Sequence, residues 1–112
     1  MVKAELVLEG GFLKSCRISG HAGAGKQGTD IVCAAVSVLA KTAFKILSER
    51  EGLDVWGEAP ERGKFRMEID CPAHAAEDLD FLGSTGVFLM EGLLSVSEEY
   101  PDFCTVKIER RN

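Results

Sequence analysis

Two pairs of short alternating stretches, each pair joined by a turn with no room for a helix, constrain what this chain can fold into more than any other feature. Val2, Ala4, Leu6 and Leu8 lie on one side of an alternation whose other side carries Lys3, Glu5 and Glu9. After Gly10-Gly11 the pattern resumes, with Phe12, Lys14, Cys16 and Ile18 alternating against Leu13, Ser15, Arg17 and Ser19, which reads as a hairpin. Leu53 to Gly57 and Gly63 to Asp70 form a second pair across the segment EAPERG, the latter separating Phe65, Met67 and Ile69 from Lys64, Arg66 and Glu68. Strands joined this closely run antiparallel, because a parallel return needs a crossover of about a dozen or more residues.

Two helical stretches follow these pairs. From Asp30 to about Arg50, Ile31, Val32, Ala35, Leu39, Ala43, Ile46 and Leu47 recur at helical spacing, and charges gather only from Lys41 onward. That predicts a helix whose first three turns are largely buried. Ala75, Leu79, Leu82, Gly86, Leu89, Leu93 and Val96 mark a second amphipathic helix ending near Glu99, with Gly83 and Gly86 weakening its middle. Phe103 to Ile108 reads as a short last strand. The order ββαββαβ predicts an α+β two-layer sandwich, a largely antiparallel or mixed five-stranded sheet with both helices on one face. At 112 residues the chain is expected to be a single domain over 1–112.

The charge balance narrows the function. A net charge of -5, with no visible cluster of Lys and Arg, disfavours nucleic acid and anionic lipid as partners. The opening MVKAELVLEG lacks the basic start and apolar run of a secretory signal, and no segment is expected to reach the length of a membrane span. A cytoplasmic protein without a membrane partner is the expectation. Cys16, Cys33, Cys71 and Cys104 form neither a C-x-x-C pair nor a zinc-spaced cluster, so free thiols, no metal and no cofactor are expected.

The chemistry concentrates in GHAGAGKQGTDIVC, residues 20 to 33. Gly20, Gly25 and Lys26 imitate a phosphate-binding loop, but Gln27 stands where a magnesium-binding hydroxyl belongs. The strand Phe65 to Asp70 also alternates, unlike the continuous apolar strands of nucleotide-binding sheets. A thiol site reads better. With Asp30 as helix cap, Cys33 falls in the first helical turn, where the dipole and unpaired N–H groups lower a thiol pKa from about 8.5 toward neutrality. The same N–H groups can hold an oxyanion.

His21 closes the second strand and can face Cys33 as its base. Gly20 just before His21, with Gly23, Gly25 and Gly28 between it and Cys33, suits a flexible loop closing over a peptide, or simply a flexible connection. Asp30 either caps the helix or also orients His21. Ser37, one turn after Cys33, either hydrogen-bonds toward the sulfur or packs as a small helix residue. Cys71 and His74 read as a capped helix start.

The run Gly20-His21-Ala22, then Gly28 and Thr29-Asp30-Ile31-Val32-Cys33-Ala34-Ala35-Val36-Ser37, resembles the ribosomal-processing cysteine protease family, Prp. Its pattern of G-H, a variable spacer, G-x-D-I-V-C-A and a nearby Ser is met throughout, and the order of elements resembles that family's fold over nearly the whole chain. The resemblance implies an endopeptidase that removes an N-terminal extension from large-subunit ribosomal protein number twenty-seven. It puts the catalytic dyad on His21 and Cys33, with Asp30 and Ser37 at other motif positions, and implies a homodimer. Lys26 then belongs to the variable spacer as a solvated charge. A noncatalytic ribosome-associated module is the alternative, with Cys33 as an inert helix residue.

Overall fold

The computed structural model describes residues 1–20, 29–61 and 63–112. Strands β1 (Val2–Glu9) and β2 (Phe12–Ser19) form the first hairpin. Glu9 pairs with Phe12, leaving Gly10 and Gly11 as a two-residue loop with φ of 60° and 89°. Two successive left-handed residues match the twist of a tight hairpin, and glycine adopts them without a Cβ clash. A bulge opposite Val7 and Leu8 shifts the register, and Lys14, skipped by the pairing, forms an ion pair with Asp70.

Helix α1 (Thr29–Ser48) follows, then strands β3 (Asp54–Glu58) and β4 (Lys64–Asp70), helix α2 (Ala76–Glu99) and strand β5 (Cys104–Arg111). The sheet order is β3-β4-β2-β1-β5. Every pairing is antiparallel except β1 with β5, which is parallel. The expected mixed five-stranded α+β sandwich is therefore the fold. Its two helical connections are interleaved: α1 carries the chain from β2 past β4 to β3, and α2 carries it from β4 past β2 and β1 to β5.

Both helices cover the face formed by Val2, Ala4, Leu6, Cys16, Ile18, Phe65, Met67 and Ile69, leaving Lys3, Glu5 and Arg17 on the open face. Val32, Val36, Ala40 and Leu47 of α1 and Leu82, Leu89 and Leu93 of α2 complete the core. Gly86, a weak point for helix propensity, is buried where an added Cβ would lie 3.2 Å from Leu13 Cβ. Close packing of α2 on β2 there outweighs the propensity loss of about 1 kcal/mol. Arg50 Nε donates to Asp78 Oδ1 at 2.8 Å and its guanidinium stacks over Phe81, fastening the end of α1 to the start of α2.

One sequence expectation needs correction. Ile31–Ser48 and Ala76–Glu99 are long and apolar enough to cross a bilayer by length and composition, with mean hydropathies of 1.8 and 1.4. In this fold each helix lays one buried stripe on the sheet, and small and apolar residues on its outer face raise the average.

Candidate active site

The register places the start of α1 at one end of the sheet. Lys3 pairs with Ser19, so Gly20 lies one step beyond the last β1–β2 pair, next to Val2, which in turn pairs with Cys104. Chain direction then brings the exit of β2, the first turns of α1 and the junction from α2 into β5 to this same end. Gly20 has φ of 95°, and a Cβ on it would stand 2.1 Å from the Met1 carbonyl oxygen. That backbone is held in turn, because the Val2 N–H donates to the Phe103 carbonyl at 2.8 Å. Gly20 is thus required by conformation and by space at the point where the chain leaves the sheet toward residue 21.

His21, Gly23, Gly25, Lys26 and Gly28 lie outside the described residues. The His21–Cys33 approach expected from sequence therefore rests on where the flanking segments end. Helix α1 begins at Thr29, one residue ahead of the expected cap. Asp30 is the second helical residue instead of the cap, and Cys33 the fifth instead of the third, because the helix takes in both residues of the TD pair. In consequence the backbone N–H groups without an intrahelical acceptor precede Cys33 at the helix mouth. They remain able to receive an oxyanion beside its sulfur.

Cys33, next in sequence to the fully buried Val32, is half-buried and packs against the core. Ser37 is also half-buried, one turn further along the helix. The other three cysteines are buried, and all four are free thiols. Burial pushes the Cys16 thiol up to about 12 and raises Cys104, the latter also through the charge of Cys33. Cys104 near Cys33 was not anticipated from sequence, since the two are brought together only by the parallel pairing of β5 with β1.

The alkaline behaviour of the fold follows from Cys16. Its folded pKa lies above the ordinary thiol value of 9.0, so its stabilising contribution is complete below about pH 9 and is lost as pH rises toward 12. Urea unfolding across that window is expected to show stability falling by up to about 1.4 kcal/mol per pH unit. Cys16→Ala is expected to have a shallower alkaline limb; an identical limb in both proteins would exclude Cys16 as its source. The raised Cys104 contributes in the same direction.

Cys71 and His74 lie at the opposite end. The His74 N–H donates to the Cys71 carbonyl at 3.1 Å, and its ring Nδ1 is 3.3 Å from the Pro72 carbonyl oxygen. His74 has φ of 50°. The N-cap of α2 is Ala75, with no side-chain hydrogen bond, so the helix start expected here is present, preceded by a turn, and neither Cys71 nor His74 is its cap residue. Together with Phe12, Leu13, Lys14 and Asp70, the two residues line a groove of about 580 Å³.

Sequence reading also missed an outward apolar surface. Ile31 and Val38 of α1 are 59% and 65% exposed, and Val87 and Phe88 of α2 are 56% and 73% exposed. Gly92 lies against Leu39, so the helices are neighbours and their outer faces are continuous. The signal was present in Phe88, which falls off the Leu82, Gly86, Leu89, Leu93 stripe.

Comparison with protein families finds that the model of a family described as cysteine protease Prp matches residues 1–105. Among solved structures, SMU.848 from Streptococcus mutans is similar at TM-score 0.79 and 28% identity, covering 99% of this chain and 96% of that one. The essential ribosomal processing protease Prp from S. aureus, in complex with a substrate peptide, is similar at TM-score 0.79 and 16% identity, covering 97% and 100%. The same protease with a covalently linked product peptide gives TM-score 0.72 and 20% identity, covering 97% and 100%. Comparison with curated protein sequences gives no significant match.

Proposed function

Because the chain belongs to the cysteine protease Prp family, we propose that it is an endopeptidase that removes the N-terminal extension of a large-subunit ribosomal protein precursor, number twenty-seven. The observation that carries this reading is Cys33 itself. It is the one cysteine among the described residues that is not buried, and it lies just inside the mouth of α1, at the end of the sheet where β2 leads toward residue 21.

His21 takes the proton from Cys33, and the thiolate attacks the scissile carbonyl carbon. The free N–H groups at the start of α1 receive the developing oxyanion. His21 then returns the proton to the leaving amine, and water, activated by the same imidazole, releases the acyl-enzyme. Asp30 and Ser37 support the pair, and Gly20 with Gly23, Gly25 and Gly28 lets the loop close over the peptide. A net charge of -5 favours encounter with a basic ribosomal precursor. This reading places the enzyme in the cytoplasm, with no cofactor and no direct contact with nucleic acid or membrane. Incubation of the precursor with this protein and with Cys33→Ala, followed by mass determination of the products, tests it.

The same reading includes a homodimer, supported by the exposed surface of Ile31, Val38, Val87 and Phe88. A second copy seated there buries four large apolar side chains on each side. Phe88→Glu, which places a charge at the most exposed of them, is expected to weaken dimerisation by about 3 kcal/mol, roughly a hundredfold. Sedimentation velocity checks it: an unchanged sedimentation coefficient across dilution would remove this face from the interface.

A further inference from the structure

Cys104 is 2% exposed, on the helix-covered face at the first position of β5. Its cross-strand neighbour Val2, also buried, separates it from the end of β2, where the chain turns toward α1. The Cys104 N–H donates to the Tyr100 carbonyl at 3.1 Å, which ties its position to the last turn of α2. Cys33 packs against the same core cluster from the first turns of α1. Two free thiols thus share one end of one core, one half-exposed and one fully covered.

We propose that Cys104 is a resolving thiol for Cys33, and that a hydroperoxide converts the pair into a disulfide that switches the protease off reversibly. The proposal rests on Cys33 being the nucleophile, since a disulfide stops catalysis only then. The Cys33 thiolate attacks the peroxide oxygen, the O–O bond breaks, and the departing alkoxide or hydroxide takes up a proton. The sulfur is oxidised to a sulfenic acid by two electrons while the peroxide is reduced. The Cys104 sulfur then displaces hydroxide from Cys33, giving the S–S bond and one water.

The environment of Cys104 suits this order. Burial, and then the charge of Cys33, raise its pKa and keep it a protonated, unreactive thiol until Cys33 has been oxidised. Oxidation to the neutral sulfenic acid removes that charge, so Cys104 gives up its proton more readily once there is an electrophile beside it. Cys16 is buried deeper in the sheet and pushed up to about 12, and it takes no part.

The test exposes the whole protein to hydrogen peroxide, blocks remaining thiols with an alkylating agent and maps the peptides by mass without reduction. The expected result is a Cys33–Cys104 linked peptide, a loss of two hydrogens from the intact mass and full recovery of precursor cleavage after a dithiol. Cys104→Ser is expected to gain oxygens on Cys33 instead, and the activity a dithiol restores is expected to fall with longer exposure. Oxygen addition to Cys33 in the unsubstituted protein, with no linked peptide, would overturn the proposal, and its mapping does not depend on any variant folding. A linked peptide in a protein that never cleaves the precursor would refute the protease reading and the switch, leaving only the proximity of the thiols.

Discussion

On the proposed mechanism, Cys33→Ala is expected to leave the ribosomal precursor uncut, with a rate loss on the order of 10⁴-fold or more, because the substitution removes the sulfur proposed to form the acyl intermediate. The fold is expected to survive. Cys33 is half-buried, so the change deletes one partly covered sulfur and the core residues Val32 and Val36 keep their packing. A His21→Ala protein is expected to retain the sulfur but lose its base, so its cleavage falls steeply and recovers in part at higher pH, where hydroxide deprotonates the thiol without help. The decisive measurement is the product mass over time. Cleavage by Cys33→Ala at the unsubstituted rate would exclude Cys33 as nucleophile and return the chain to the noncatalytic, ribosome-associated alternative.

Gly20→Ala is expected to reduce both stability and activity. The residue has φ of 95°, where a side chain is strained by about 1–2 kcal/mol, and the new Cβ would meet the Met1 carbonyl oxygen at 2.1 Å. The N-terminal backbone cannot simply swing away, since Val2 is 3% exposed and hydrogen-bonded to Phe103. Strain and clash together are expected to cost about 2–4 kcal/mol, read as a lower urea midpoint with an unchanged slope. Because the same displacement redirects the chain into residue 21, kcat/KM is expected to fall even at temperatures where the variant is fully folded. An unchanged midpoint would show that this end of the sheet yields without cost, and would remove Gly20 as the residue that aims the loop.

Much of the fold was legible in local patterns. Val2 to Leu8 and Phe12 to Ile18 declare a hairpin because alternation has period two and the two glycines between them accept left-handed φ. Asp30 to Arg50 and Ala75 to Glu99 declare helices because their apolar residues return every three or four positions. The GH and DIVC motifs were legible in the same way, as residue types whose chemistry depends on a strand end and a helix start. What failed was boundary detail and surface. A helix start two residues early, at Thr29 instead of Ile31, moved Asp30 off the cap, and the exposed Phe88 was hidden inside a helix that is apolar on average.

The order of residues alone determined which segments are strands and helices, which faces are apolar, and which side chains are the candidates for thiol-protease chemistry, since each depends on neighbours within a few positions. Only the tertiary structure decided that β5 lies parallel to β1, that Gly86 lets α2 settle on Leu13, and that Cys104 ends near Cys33. Those contacts join residues far apart in the chain. They are selected by how two helices and five strands bury one shared core, and no local pattern encodes that choice.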